Sequence, residues 1–270
     1  MVTATLVEMD PNTKEAPDPI EVGRLLEEMI RDPFVDDKVD IHMIGFSKAV
    51  HDIASGAAQV AAFFLIALAV TALFVRGFTR SWKLTLFPLL SSLLAVVWTM
   101  GGVTTLGYGL DPMSILVPFL IFAIAMSHGV QMVGAFSSAL SQGSLPAEAS
   151  KKAFGQLFVP GVVALLSDSV GFLTLLFIPI QVIQDLAVMS AIGVVLIFGT
   201  GFMLLPILLA KMAQDEKLVQ RLSQPMPVRE GLWARINLAT KPRVAFLLVM
   251  LALTGGMLAY DSSTRVIIGD

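Results

Sequence analysis

Residues 122–132 read FAIAMSHGVQM, a run in which one histidine stands among apolar side chains. The chain stays apolar on both sides, from about residue 113 to residue 136, which is long enough for a helix to cross a hydrocarbon core of roughly 30 Å. Five further apolar runs have similar lengths. They occupy residues 59–76, 84–106, 155–178, 185–210 and 243–260. The sequence therefore predicts a mainly α-helical, polytopic membrane bundle with six transmembrane helices.

The composition supports the same fold class. Hydrophobic residues make up 56% of the 270 and charged residues 14%, whereas soluble domains carry about 25% charged residues. The net charge of -3 and the lack of a basic arm exclude nucleic-acid binding. The absence of cysteine excludes disulfides, thiolate metal sites and cysteine nucleophiles. We expect no cofactor and no metal.

The first 46 residues are polar enough to lie outside the membrane. Residues 2–7 and 39–44 have the composition of strands, and residues 20–30 place apolar side chains at helical spacing. Asp18 is placed to cap that helix, with Pro19 at its first position. The pattern predicts a β-α-β remnant, which is too small to bury its own core. We therefore expect the chain to begin inside a longer protein.

The basic residues predict the orientation of the helices. The loops after the second and fourth runs contain no Lys or Arg, whereas the loops after the first, third and fifth runs are basic. Because basic loops stay in the cytoplasm, both ends of the chain are expected on the opposite side. The basic residues are Arg76, Arg80, Lys83, Lys151, Lys152, Lys211, Lys217, Arg221, Arg229, Arg235, Lys241 and Arg243.

Asp168 lies near the middle of the fourth run, with Ser167 beside it. A carboxyl group at that depth costs at least about 2.5 kcal/mol on insertion scales, so it normally has a partner or a use. Helical spacing places Gly161 and Gly171 on its face, and small residues let another helix come close. Two interpretations follow: Asp168 only bonds to a neighbouring helix, or it loads and releases a proton.

His128 falls within the third run, where Ser127 and Gln131 share its arc. These three side chains predict a polar stripe next to Gly129. One interpretation is a structural hydrogen bond made by the imidazole. The other is a proton relay, because a histidine and an aspartate on consecutive helices can exchange a proton or stabilise each other's charge.

Prolines fall within or near the start of several runs. Pro118 and Pro160 precede the polar residues on their own helices, and a proline frees a backbone carbonyl and bends a helix. Both are therefore candidate hinges, although helix packing alone also explains them. No P-loop, HExxH or GxSxG motif is present, so we expect no enzyme, and any energy source would be an ion gradient or a missing subunit.

Three segments carry a resemblance to a known family. They are GYGLDPMSILVPFLIFAIAMSHGVQM at 107–132, LLSDSVGFLTLLFIPI at 165–180 and IQDLAVMSAIGVVLIFGTGFMLLPILL at 183–209. The chain resembles exporters of the resistance-nodulation-division (RND) superfamily. Within it, the chain is most similar to the branch of mycobacterial large membrane proteins (MMPL), hopanoid transporters and sterol-sensing, Patched-like proteins.

The resemblance implies a domain layout. Residues 1–46 would end a ferredoxin-like periplasmic porter domain, and residues 47–212 would form a five-helix, sterol-sensing-like transmembrane unit. Residues 213–242 would be a cytoplasmic connector, containing either an interfacial amphipathic helix or a solvated linker helix. Residues 243–270 would begin the second half with helix seven. The chain would then be about a third of a transporter in the bacterial inner membrane.

The resemblance also implies a function, which is proton-driven export of a hydrophobic or lipid-like molecule. Many relatives carry an acidic residue where this chain has Ser127 and His128, so His128 and Asp168 would share the proton role, or the main carrier lies in the missing half. The implied partners are membrane lipids, the remaining half of the transporter, and a second copy or a periplasmic protein. The alternatives are a lipid-responsive regulator without transport and an accessory factor for protein export.

Overall fold

A computed structural model describes residues 18–34, 41–109, 111, 113–213, 216–223, 237 and 241–263. These residues are mainly helical, and six of their helices are long and apolar enough to cross a membrane. The six predicted spans are thereby confirmed. The helices are α1 (Pro19–Leu26), α2 (Phe46–Thr79), α3 (Trp82–Thr105), α4 (Val117–Ser141), α5 (Pro146–Thr174), α6 (Gln181–Ile197), α7 (Leu205–Ala210), α8 (Glu216–Ser223) and α9 (Pro242–Ser263). Helix α1 continues as a π-helical turn (Glu27–Arg31), and a π-helical segment (Phe198–Leu204) joins α6 to α7. Short 3-10 turns at Ser114–Leu116 and Leu175–Phe177 precede α4 and follow α5.

The N-terminal segment contains the predicted helix. Asp18 caps α1 by accepting the Ile20 N–H at 2.9 Å, and Pro19 is the first helical residue, as predicted. The β-α-β unit is not shown. Residues 41–44 form an irregular connection into α2, since alternation does not make a strand unless a neighbour pairs with its backbone groups. Residues 2–7 and 39–40 lie outside the described residues.

The core of the bundle is formed by α3, α4 and α6. Its fully buried side chains are Leu84, Ile121, Met132, Val133, Phe136, Met189, Val194 and Ile197. Two glycines allow close approach between these helices. A Cβ at Gly129 would lie 2.9 Å from the Pro88 Cβ, and a Cβ at Gly193 would lie 2.3 Å from Ile121 Cδ1. The sequence therefore brings α4 against both α3 and α6 by omitting side chains.

The π-helical segment Phe198–Leu204 interrupts the fifth span. Here the Thr200 carbonyl accepts a hydrogen bond from the Leu205 N–H and a second from the Ser91 hydroxyl on α3, at 2.7 Å. Pro206 follows, and its own carbonyl accepts from the Ser150 hydroxyl on α5, also at 2.7 Å. Backbone carbonyls without partners are costly inside a bilayer. Two hydroxyl groups from neighbouring helices therefore stabilise the irregular segment.

The corner between α2 and α3 is tight. Arg80 lies between the helices with a φ of 52°, the left-handed region that ends helices. The hydroxyls of Thr79 and Thr85 are 3.0 Å apart across the corner, and the Arg76 guanidinium lies 5.4 Å from the centre of the Trp82 ring. These contacts fix the end of α2, whereas most side chains in its middle are exposed.

The fold makes a testable distinction between two adjacent serines. Both Ser91 and Ser92 are buried, but the Ser91 hydroxyl bonds to the Thr200 carbonyl on the fifth span, whereas the Ser92 hydroxyl bonds to the Pro88 carbonyl on its own helix and makes only a weak contact with Met126 Sδ of α4, at 3.7 Å. Membrane helices remain helical when a bundle separates, so the bond of Ser92 survives unfolding. We expect Ser91→Ala to lower the free energy of unfolding of the full-length protein by about 1 kcal/mol. Ser92→Ala should lower it by less than half as much, as measured by titration with denaturing detergent. Equal losses would contradict the anchoring role of Ser91.

Candidate functional site

His128 is half-buried on α4, and its ring is held at two points. Its Nδ1 lies 3.0 Å from the Ile124 carbonyl oxygen one turn earlier on the same helix. A carbonyl only accepts, so Nδ1 carries the hydrogen and donates. The ring meets the Phe202 ring edge-on, with the ring centres 5.9 Å apart. The imidazole is thus oriented by its own helix and by the π-helical segment.

Phe202 joins three elements of the bundle. It is buried within the π-helical segment, and a Cβ at Gly161 on α5 would lie only 2.0 Å from its Cζ. Its ring also stacks with Phe198 and meets Phe158 edge-on, with ring centres 6.2 Å and 6.5 Å away. Gly161 therefore leaves the space that the Phe202 ring fills, and the filled space sets the position of the ring against His128.

Asp168 lies on α5, seven residues beyond Gly161 and therefore about 10 Å further along the helix. It is half-buried, and among the described residues no side chain makes a hydrogen bond or an ion pair with its carboxyl group. In particular, no such contact joins it to His128. Ser167 beside it is exposed. The structure therefore places the two titratable groups on neighbouring helices without joining them directly.

The predicted polar stripe on α4 is divided between two sides of the helix. His128 turns towards Phe202, whereas Ser127 and Gln131 line a groove of about 520 Å³ between α2 and α4. The sequence pattern did not show this groove, because its walls come from helices that are not consecutive in the chain. Its lining consists of Ala67, Thr71, Phe119, Phe122, Ala123, Met126, Ser127, Val130 and Gln131.

The groove is apolar apart from a few groups along one side. Phe119 and Phe122 both meet Phe64 of α2 edge-on, with ring centres 5.3 Å and 5.2 Å apart, and these contacts close one end of the groove. The amide of Gln131 and the hydroxyl of Ser127 are exposed and not bonded to any described side chain. An apolar cleft with a few uncommitted polar groups is the usual form of a site for a small apolar ligand.

The remaining candidate residues differ in their surroundings. Gly129 lies against Pro88, but of the described atoms none is within 4 Å of a Cβ at Gly171, so the expected close approach of a helix is not found there. Pro118 is in the first turn of α4. Its missing N–H breaks no helical bond at that position, and its role as a hinge stays a prediction. Pro160 lies inside α5 and removes the helical donor for the Gln156 carbonyl.

One comparison with known proteins gives a match. The family described as "Sterol-sensing domain of SREBP cleavage-activation" matches residues 77–224. This segment begins at the end of α2 and contains α3 to α8, including His128, Gly161, Asp168 and Phe202. It also contains the α4 wall of the groove. No curated protein matches the chain.

The contact between Gly161 and Phe202 can be tested by compensation. We expect Gly161→Ala to destabilise the full-length protein by about 1–3 kcal/mol, because the added methyl group overlaps the Phe202 ring. Combining it with Phe202→Leu should cost less than the sum of the two single changes. Thermal unfolding of the four proteins in one detergent measures this coupling.

Gly155→Ala is the matched control, since it lies on the same helix and a Cβ there meets no described atom within 4 Å. It should not lower the stability. If Gly155→Ala and Gly161→Ala behaved alike, or if the double variant were simply additive, Phe202 would not be held by Gly161.

Proposed function

The chain belongs to the sterol-sensing domain family, and from this premise we propose that its helical bundle senses or handles a sterol-like lipid in the groove between α2 and α4. The groove carries the proposal. Its volume of about 520 Å³ and its wall of Phe119, Phe122 and Met126 suit a rigid apolar body. Ser127 and Gln131 suit the single hydroxyl group that a sterol presents.

The position of the groove also favours a ligand from the bilayer. Thr71 lies within the first apolar run and Ser127 near the middle of the third, so the groove falls within the predicted membrane. The adjoining surface of α2 is apolar and exposed, including Phe63, Ile66 and Val70. A lipid can therefore reach the groove sideways without crossing water.

We further propose a finer function, in which this unit belongs to an RND-type exporter of the bacterial inner membrane. Asp168 and His128 would carry protons, and the protein would be a secondary transporter rather than an enzyme. The support is a carboxyl group within a predicted span that meets no basic side chain among the described residues. Such groups in membranes mark ion pathways. The ends of this chain would face the periplasm, and the other half of the transporter would be its partner.

The separation of Asp168 from His128 determines which proton path this proposal requires. Direct transfer needs the two groups within hydrogen-bond distance, and no described contact joins them. The proton would therefore pass through water or through a polar group of the missing half. His128 and Asp168 would each bind a proton separately. Phe202 would link the protonation state of His128 to the packing of α5.

A regulator without transport is equally compatible with the family. The observation that favours it is that His128 donates to its own helix and meets the Phe202 ring edge-on. It is thus held as a structural group would be. Lipid binding in the groove would then change the packing of α2, and a partner would detect that change. An accessory role in protein export is the third possibility and has no specific observation in its favour.

Filling the groove should prevent lipid binding. We expect Ala123→Trp, in full-length protein in lipid nanodiscs, to reduce saturable labelling by a photoreactive sterol by about tenfold or more, since the indole occupies the ligand volume. Gln131→Leu should weaken binding by about two- to tenfold through the loss of one hydrogen bond. Val163→Trp is the control, because it introduces the same indole at an exposed position on α5. Undiminished saturable labelling of the Ala123→Trp protein would eliminate the groove as the site.

Proton coupling is tested separately. We expect Asp168→Asn to insert normally but to lose proton flux in proteoliposomes of total lipid extract under an imposed pH gradient, because an amide cannot carry the proton. His128→Gln should reduce the flux as well, whereas Ser167→Ala should preserve it. If the unsubstituted protein carried no protons, the regulator would be favoured. Equal flux with and without Asp168→Asn would place the coupling site in the other half.

A further inference from the structure

A second polar cluster lies where α1 crosses the first turns of α2, well away from the groove. Gly23 is buried at the crossing, and a Cβ there would lie 2.3 Å from the His51 Cβ and 2.7 Å from the Ser47 carbonyl oxygen. The backbone of α1 therefore rests directly on α2. Since α1 and the π-helical turn that follows it both contact this part of α2, a small change at the crossing affects the whole segment.

Charged side chains surround the crossing. Lys48 Nζ lies 2.8 Å from Glu27 Oε1 and also bonds to Asp52, while Arg31 Nη1 is 3.4 Å from the same Glu27 oxygen. The hydrogen bond from Lys48 lowers the pKa of Glu27 below its ordinary value. Glu27 is therefore an ionised carboxylate at neutral pH, and its oxygens only accept hydrogen bonds.

His51 is placed between two acceptors. Its Nδ1 lies 3.2 Å from the Ile20 carbonyl oxygen at the start of α1, and its Nε2 lies 3.3 Å from Glu27 Oε2. The side chain is only 14% exposed, so water has limited access to replace either contact. A neutral imidazole has one N–H and leaves its other nitrogen lone pair facing an oxygen. Only the protonated imidazolium donates to both acceptors.

We propose that His51 is a proton-responsive latch, which in its protonated form holds α1 and the adjoining π-helical turn against the start of α2. The surrounding charges are that of Glu27, which His51 contacts, and those of Lys48, Arg31 and Asp52, which are ion-paired to Glu27 or to Lys48. His42 is the nearby histidine that lines a cavity with Lys48 and Asp52. Because proton binding adds a hydrogen bond to the closed contact, the contact is strongest when His51 is protonated and weakens as the pH rises. The latch does not depend on the proposed lipid site.

A buried thiol can report the opening of the latch, because the chain has no cysteine of its own. Ser47 is 4% exposed beneath α1, and Ala49 nearby is exposed. Ser47→Cys and Ala49→Cys are made separately in the full-length protein in detergent, and the rates of maleimide labelling are measured from pH 5.5 to pH 8. Dividing the first rate by the second removes the pH dependence of the thiol reaction itself. We expect the ratio to rise by about five- to tenfold over this range, as one charge-assisted hydrogen bond is lost.

Substitutions of the latch residues test whether His51 causes the increase of the labelling ratio with pH. In the His51→Gln background the ratio should be high and independent of pH, and Glu27→Leu, which removes the acceptor of Nε2, should give the same result if His51→Gln fails to fold. His42→Gln is the matched control and should retain the rise. A constant ratio in the unsubstituted background would overturn the proposal. So would a rise that persists in His51→Gln, or one that disappears in His42→Gln.

Discussion

The hydrogen bond from the Ser91 hydroxyl to the Thr200 carbonyl allows the fifth span to depart from α-helical geometry inside the membrane. A π-helical segment weakens the regular ladder of backbone bonds, and hydrocarbon offers no water as a replacement. Ser91 and Ser150 supply the donors from two neighbouring helices. These side-chain bonds add to the segment's own backbone ladder, and together they place the Phe202 ring between α4 and α5. The orientation of His128 and the space at Gly161 both depend on that ring.

The glycines explain how so many helices meet at one level. Gly129 admits Pro88, Gly161 admits Phe202, and Gly193 admits Ile121 and Thr99. Association of membrane helices relies on such close contact, because burying apolar side chains gains little when the alternative is lipid. A few glycines therefore determine how closely these helices approach one another. The outer helices α2 and α5 expose many large apolar side chains.

The spans could be predicted from the sequence because length and hydropathy decide them locally. The cap at Asp18 was predictable for the same reason. Residues 41–44 differed from the prediction, since alternation describes a strand only where a partner exists.

The π-helical segment had no sequence signal of its own, because a shift from i−4 to i−5 bonding changes no residue type. The groove was not predictable either, since it pairs Thr71 with Gln131 across helices that are not consecutive. The division of the polar stripe was not predictable for the same reason. Different elements pack on the two sides of α4, and they decide that His128 meets Phe202 while Ser127 and Gln131 line the groove.

The geometry of α2 connects the two polar regions of the molecule. The helix is continuous from Phe46 to Thr79 and contains no proline, so it transmits displacement along its length. Its start is held by α1 through Gly23 and His51, and its end by Thr79 and Arg76 at the corner with α3. Between these ends its contacts are few, and that is where it forms one wall of the groove.

A helix that is fixed at both ends and free in the middle responds to a change at either end. The distance from His51 to Ala67 is about 24 Å along the helix, so loosening the first end relaxes a constraint on the wall of the groove without breaking the bundle. If the position of that wall depends on the contact with α1, a ligand that prefers one position of the wall favours, by reciprocity, one state of that contact.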